Sequence, residues 1–217
     1  MNPLKRDLKV LQFIGKGGIA SISQIQTKFW PEAKERTCLE RLQILKKEGL
    51  LTKQIVTSRK SEGELVFLIT PGGSKLFSRS IQARFFHQIT TAEIKQQLLA
   101  QDAILKLEQE LIVQGKVLVD WKQEREIRSL LKRQQKKGDT SQLEVPDAQA
   151  TVRDETTGEI YKVEIEVDGA YYGKMLQSKI NRFAASNKPT IWVTTPDRAA
   201  MIITKISNHP NITLLVV

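Results

Sequence analysis

Residues 145–179 read VPDAQATVRDETTGEIYKVEIEVDGAYYGKMLQSK, and the second half of the chain is organised around them. Tyr161, Val163, Ile165 and Val167 alternate with Lys162, Glu164, Glu166 and Asp168. Period two is the strand signal, and it puts three carboxylates on one face. In the preceding stretch Ala148, Ala150 and Val152 share one face, which leaves Asp147, Gln149 and Thr151 on the other. The segment Asp154-Glu155-Thr156-Thr157-Gly158 between them is rich in turn formers. With Thr156-Thr157 at its centre, Asp147 opposes Glu166 and Gln149 opposes Glu164, and opposed residues of an antiparallel pair share a face. A slip of one residue would break this arrangement. Like charges facing each other destabilise a hairpin unless something positive lies between them. A divalent cation fits that role, because Mg²⁺ is typically held by one or two carboxylates plus phosphate oxygens. The alternative is a solvated outer strand face, although Asp and Glu are depleted in strands.

The bulk composition narrows the classes. A chain of 217 residues, 40% hydrophobic, fits one large or two small domains. No apolar run approaches the ~18 residues of a membrane span, and MNPLKRDLK has no signal-peptide core, so a soluble cytoplasmic protein without membrane partners is expected. The single cysteine, Cys38, excludes an internal disulfide and a Cys-based zinc site. His87 and His209 are isolated, which argues against a histidine-rich metal cluster or a Ser-His-Asp triad. The net charge of +10 is uneven. Residues 1–80 carry 15 Lys/Arg against 7 Asp/Glu (+8), residues 81–140 carry 11 against 8 (+3), and residues 141–217 carry 8 against 9 (−1). Such asymmetry points to a nucleic-acid-facing module joined to something else.

At the N-terminus, Leu4, Leu8, Leu11 and Ile14 make one helical face, ended by Gly15-Lys16-Gly17-Gly18. A second helix is expected over Ser21–Phe29 with Ser21 as its cap. A third, over Glu32–Glu48, follows Pro31, with Leu39, Leu42 and Leu45 inward. Strand-like runs 50–57 and 64–70 follow, joined by Ser58-Arg59-Lys60-Ser61-Glu62-Gly63. Three helices and a hairpin is the order of a winged helix-turn-helix, and RLQILKKEGLLTK followed by LITPGGSKL resembles that family. The resemblance implies double-stranded DNA as partner, with the third helix in the major groove. Lys34, Arg36, Thr37 and Arg41 would be its exposed readers, and Arg59 and Lys60 would lie in the wing. The alternatives are a solvated charged face or a protein-binding module.

From Ser80 to Gln114 apolar residues recur at helical intervals, including Phe85, Ile94, Leu98, Ile104, Leu107 and Leu111. This stripe either dimerises two chains or packs within one. After Gly115 a new helix is expected from about Asp120, with Trp121, Ile127 and Leu131 inward and Glu124 among them. A buried carboxylate is costly unless paired or bound to a metal, so Glu124 is either functional or paired with Arg128. Beyond the acid hairpin, Ala170–Ser186 reads as a helix with Tyr172, Leu176, Ile180 and Phe183 inward and Lys179 beside them. A strand 189–195, a helix 197–207 and a strand 212–217 complete an α+β chain whose C-terminal mixed sheet is flanked by helices. The expected division is a winged helix over 1–79, a helical linker and possible dimerisation segment over 80–115, and a sheet domain over 116–217.

The C-terminal domain resembles the restriction-endonuclease-like PD-(D/E)xK nucleases. Pro146-Asp147 matches the PD, and Glu164-Ile165-Glu166 or Glu166-Val167-Asp168 stands where (D/E)xK belongs. With the winged-helix pattern in front and Trp121-x-x-Glu124 before the PD, nearly the whole chain resembles the plasmid replication-relaxation family, which is related to MOBC mobilisation relaxases. The resemblance implies a DNA-nicking endonuclease of a plasmid or mobile element, working beside mobilisation or replication proteins. Asp147, Glu164 and Glu166 would hold Mg²⁺ or Mn²⁺, with Glu124 as a further or outer ligand. The motif lysine is replaced by Glu166 or Asp168; Lys179 or Lys162 could supply its charge. The alternative is a DNA-binding regulator carrying a degenerate nuclease fold. Tyr161, Tyr171 and Tyr172 are the candidates for a covalent relaxase instead.

Overall fold

A computed structural model describes residues 4–56, 63–85, 87–134, 145–169 and 171–217. The chain divides into two compact units, residues 1–101 and 102–217. Both mix helices and sheet.

The first unit runs α1 (Lys5–Gly17), β1 (Ala20–Ser21), α2 (Ile22–Phe29), α3 (Glu35–Lys47), β2 (Leu51–Val56), β3 (Glu64–Ile69), α4 (Pro71–Ser74) and α5 (Arg79–Gln82). Its antiparallel sheet has the order β1-β3-β2. Local chemistry explains the element ends. Ser21 caps α2: its hydroxyl accepts from the Gln24 N–H at 3.2 Å, and its own N–H donates to the Gln24 side chain at 3.1 Å. Gly18, at φ 80°, ends α1 with a backbone geometry that favours glycine. Helix α3 starts three residues later than its apolar spacing suggests, because the chain after Pro31 first makes a turn in which the Ala33 N–H bonds the Trp30 carbonyl at 3.1 Å. Cys38, Leu42 and Leu45 are its buried face. The Cys38 thiol is pushed up to about 11 by burial and by nearby Glu35, as befits a small core residue.

The helical stretch expected from Ser80 is interrupted. α5 ends at Gln82 and α6 (Thr91–Val113) starts afresh. The Thr90 N–H and hydroxyl both donate to the Glu93 carboxylate, at 2.8 and 2.6 Å, a helix-start signature that outweighs the continuing apolar period. Ile94 and Leu98 pack with Ile19, Val66 and Leu68. The Gln24 side chain donates to the Leu98 carbonyl at 2.8 Å. This part of the stripe therefore packs within the chain's own first unit.

The second unit contains β4 (Lys116–Gln123), α7 (Glu124–Gln134), β5 (Ala148–Asp154), β6 (Ile160–Val167), α8 (Gly173–Ser186), β7 (Thr190–Thr194), α9 (Pro196–Ile206) and β8 (Ile212–Val216). The sheet order is β4-β5-β6-β7-β8, antiparallel across the first three strands and parallel across the last three. One expectation is corrected here. Residues 120–123 end a strand, and the helix begins only at Glu124. Val117, Leu118, Val119 and Trp121 suit a pleated edge, and β4 finds its partner in β5, with a bulge between Leu118 and Asp120. Trp121 is buried opposite Ala150 on that strand, so it is no part of a helical stripe.

The hairpin register is the one read from the turn: Ala148 pairs with Ile165, Gln149 with Glu164 and Ala150 with Val163. Trp192 of β7 pairs in register with Glu166 and is fully buried in a cluster with Leu176, Ile180 and Phe183 of α8, Ile202 and Ile206 of α9, and Ile212 of β8. Lateral neighbours in a sheet share a face. Helix α8 thus covers the face that carries the acids. Burying Leu176 or Ile180 contributes roughly 1.5–3 kcal/mol each, which fixes α8 against that face. Among the described residues no helix is long and apolar enough to cross a membrane.

Candidate functional site

The acids of β6 are buried. Asp147 is 7%, Glu164 5% and Glu166 1% exposed, which removes the reading of a solvated outer face. Strand alternation brings Glu164 and Glu166 to one side, and the neighbouring α8 and β7 close over them. Asp147, just before β5, is tied to the end of β6: its Oδ2 accepts the Val167 N–H at 2.7 Å. The Asp147 carbonyl accepts the Glu124 N–H at 2.8 Å, so the start of α7 meets the same point.

Each buried acid of β6 has a cation. Lys179 Nζ, from the α8 stretch whose Leu176, Ile180 and Phe183 cluster with Trp192, donates to Glu166 Oε1. Lys188, between α8 and β7, donates to Glu164 Oε1 at 2.8 Å from a side chain that is 56% exposed. Arg198, at the start of α9, binds Asp168 through Nε and through Nη2 at 3.1 Å, and Thr194 adds a hydroxyl at 3.0 Å. The hydrogen bond to Asp168 raises the Arg198 pKa above its ordinary value.

Burial pushes the Glu166 carboxyl up to about 8, and the Asp147 charge pushes the same way; Lys179 opposes both, and Arg182 adds to that opposition. Burial disfavours the Lys179 ammonium, but the Glu166 and Asp147 carboxylates outweigh it and hold its pKa above the ordinary lysine value. Glu166 Oε2 is buried and has no hydrogen-bond partner among the described residues. An orphaned carboxylate oxygen is rare and calls for an explanation, an unplaced ion being one. With Asp147 beside it, two carboxylates are available to a hard cation, a donor set that suits Mg²⁺ with water and phosphate completing the shell. No group of three His, Cys, Asp or Glu is arranged to hold a metal among the described residues.

The other sequence candidates divide. Lys162 is exposed opposite Thr151, four residues from Glu166 and thus about 13 Å along the strand; Lys179 is the lysine at the acids. Glu124 has its backbone at Asp147, but its side chain turns to Arg128 at 2.6 Å. In the first unit, Lys34, Arg36 and Thr37 are exposed at the start of α3, with Arg36 paired to Glu40 at 2.8 Å. Arg41 is not an exposed reader. Its guanidinium grips Asp7, whose side chain is 1% exposed, through Nε at 2.8 Å and through Nη2. Removing a buried partner charge costs far more than a solvated pair is worth, so Arg41 serves the core. Arg59 and Lys60 lie outside the described residues.

Sequence reasoning missed Lys188 and Arg198, and it named Tyr171 only as a candidate nucleophile, whereas its ring lies against Lys179. Lys188 touches Glu164 only through the parallel β6–β7 register, and Arg198 reaches Asp168 across 30 positions. Tyr172, expected inward, is 66% exposed and lies under the Arg198 guanidinium at 4.5 Å. One cue was legible: α8 carries Lys174, Lys179 and Arg182 and no acid, beside a strand of acids.

A comparison with curated proteins finds no match. Residues 11–194 match the replication-relaxation family, and since that span covers most of the chain, the protein belongs to the replication-relaxation family.

Proposed function

We propose that the protein is a two-part DNA-processing factor of a plasmid or mobile element, with a winged-helix unit that binds duplex DNA and a restriction-endonuclease-like unit that nicks it. Family membership supports a role in plasmid replication or mobilisation. The observation that carries the nicking activity is the buried Asp147–Glu166 pair, with Lys179 on one oxygen of Glu166 and no hydrogen-bond partner for the other among the described residues. In this reading Asp147 and Glu166 hold Mg²⁺ or Mn²⁺, which when bound supplies Lewis-acid and water-activating chemistry. Lys179 stands where the motif lysine is missing and donates to a non-bridging phosphate oxygen, where charge grows in the transition state. Helix α8 and Trp192 keep bulk water from this face, which strengthens that interaction. Lys34, Arg36 and Thr37 are the residues proposed to meet DNA in the first unit, because they are exposed at the start of α3.

A second reading has its own observation. Both buried glutamates of β6 already have lysine partners, and no three-donor group exists among the described residues. A non-catalytic DNA-binding factor with a degenerate nuclease fold would look like this. The test is nicking of the supercoiled replicon that carries the gene, with Mg²⁺ or Mn²⁺, by wild type, Asp147→Asn and Glu166→Gln. Nicking by wild type that both variants lose supports the first reading. DNA binding without nicking in all three proteins leaves the second.

A further inference from the structure

We propose that Tyr171 is a positioning residue that holds the Lys179 ammonium on Glu166. The inference rests on the reading of Asp147, Glu166 and Lys179 as the working site, and it adds the residue that aims the lysine.

Lysine is a flexible stem ending in a point charge, and nothing in its own rotamers selects Glu166. Its side chain here is only 25% exposed. Lys179 Nζ lies 4.4 Å from the centroid of the Tyr171 ring while it donates to Glu166. The ammonium therefore sits between a Glu166 carboxyl oxygen and an aromatic face, and the ring's negative face attracts it. Tyr171 is in turn fixed from two sides. Its carbonyl accepts from Arg198 Nη2 at 2.8 Å, and the same guanidinium grips Asp168 at the end of β6. On the other side its ring lies against Gly169: a Cβ there would fall 2.7 Å from Cε2 and 2.9 Å from Cζ. Any other residue at 169 would push the ring from its place. The path runs from Arg198 through Tyr171 to Lys179, and every link lies in the second unit.

The ring face, not the hydroxyl, makes this contact. Tyr171→Phe should therefore keep it and Tyr171→Leu lose it. Gly169→Ala should displace the ring while leaving Tyr171 in the chain. The measurement is the rate at which trinitrobenzenesulfonate labels Lys179, read by peptide mass spectrometry on the full chain without metal. Exposed Lys174 on the same helix is the internal reference. The reagent takes only the neutral amine, so release from Glu166 speeds labelling; Glu166→Gln calibrates that response. Tyr171→Leu should raise the Lys179 rate about two- to fivefold, the ratio a partly exposed cation–π contact corresponds to. Gly169→Ala should move it the same way, and Tyr171→Phe should match wild type. Unchanged labelling in Tyr171→Leu, or an equal rise in Tyr171→Phe, overturns the inference. This readout does not involve cleavage. A wild type that fails to nick DNA would remove the proposed activity, whereas the labelling rates alone decide whether Tyr171 aims Lys179.

Discussion

Glu166 makes the stability of the second unit depend on pH in an unusual direction. Its carboxyl is raised from an ordinary 4.5 to about 8 by burial and by Asp147. Between those values the folded protein binds a proton that the unfolded chain releases. Stability from this group is then fully present below about pH 4.5 and is lost as pH rises through about 8, the reverse of a salt-bridged surface carboxylate. The whole shift corresponds to about 5 kcal/mol at 1.36 kcal/mol per pH unit, an upper bound for a group with Lys179 as partner. Between about pH 6 and about pH 8 the integrated loss is about 2 kcal/mol. The assay is urea unfolding without divalent metal, wild type against Glu166→Gln, followed by tryptophan fluorescence. Both proteins would carry Trp30→Phe, so that Trp121 and Trp192 of the second unit report. Groups that titrate alike in both proteins cancel in the difference. The wild-type advantage over Glu166→Gln should shrink by about 2 kcal/mol across that window. A difference that stays constant within about 0.5 kcal/mol, or that grows with pH, would mean Glu166 is ionised throughout and the reasoning from burial is wrong.

Four further outcomes concern the first unit. Arg41→Met should destabilise it by about 3–5 kcal/mol, because Asp7 is left charged and buried. Arg36→Ala, at an exposed pair, should change stability by less than about 0.5 kcal/mol while weakening DNA binding; equilibrium unfolding and fluorescence anisotropy separate the two. Burial works to raise the Asp7 carboxyl, but Arg41 and the Leu4 N–H outweigh it and hold its pKa below 3.8. The Asp7 contribution is thus present above 3.8 and lost as pH falls through the lowered value, and acid unfolding of wild type but not of Arg41→Met should show that extra loss. Ser21→Ala should cost about 1 kcal/mol through the lost cap of α2, measured by the same unfolding curves.

Much of this molecule was legible in its residues. Alternation between Tyr161 and Asp168 determined β6, and the Asp154–Gly158 turn determined a register that aligned Gln149 with Glu164. Ser21 announced a helix start, and the apolar spacing of Leu176, Ile180 and Phe183 determined the buried face of α8. These are features in which residues near in sequence bond or pack together, so their spacing carries the information. Other features were decided by distant partners. Residues 116–123 became a strand because β5 offered an edge. Arg41, placed on the side of α3 expected to read DNA, was taken up by Asp7 of α1. The cations of the site also came from a distance: Lys179 to Glu166 across 13 positions, Lys188 to Glu164 across 24, and Arg198 to Asp168 across 30. A row of acids in one strand says that charge must be balanced. Which lysine balances it depends on the parallel packing of β6 against β7 and on α8 lying over both, and only the folded chain brings those together.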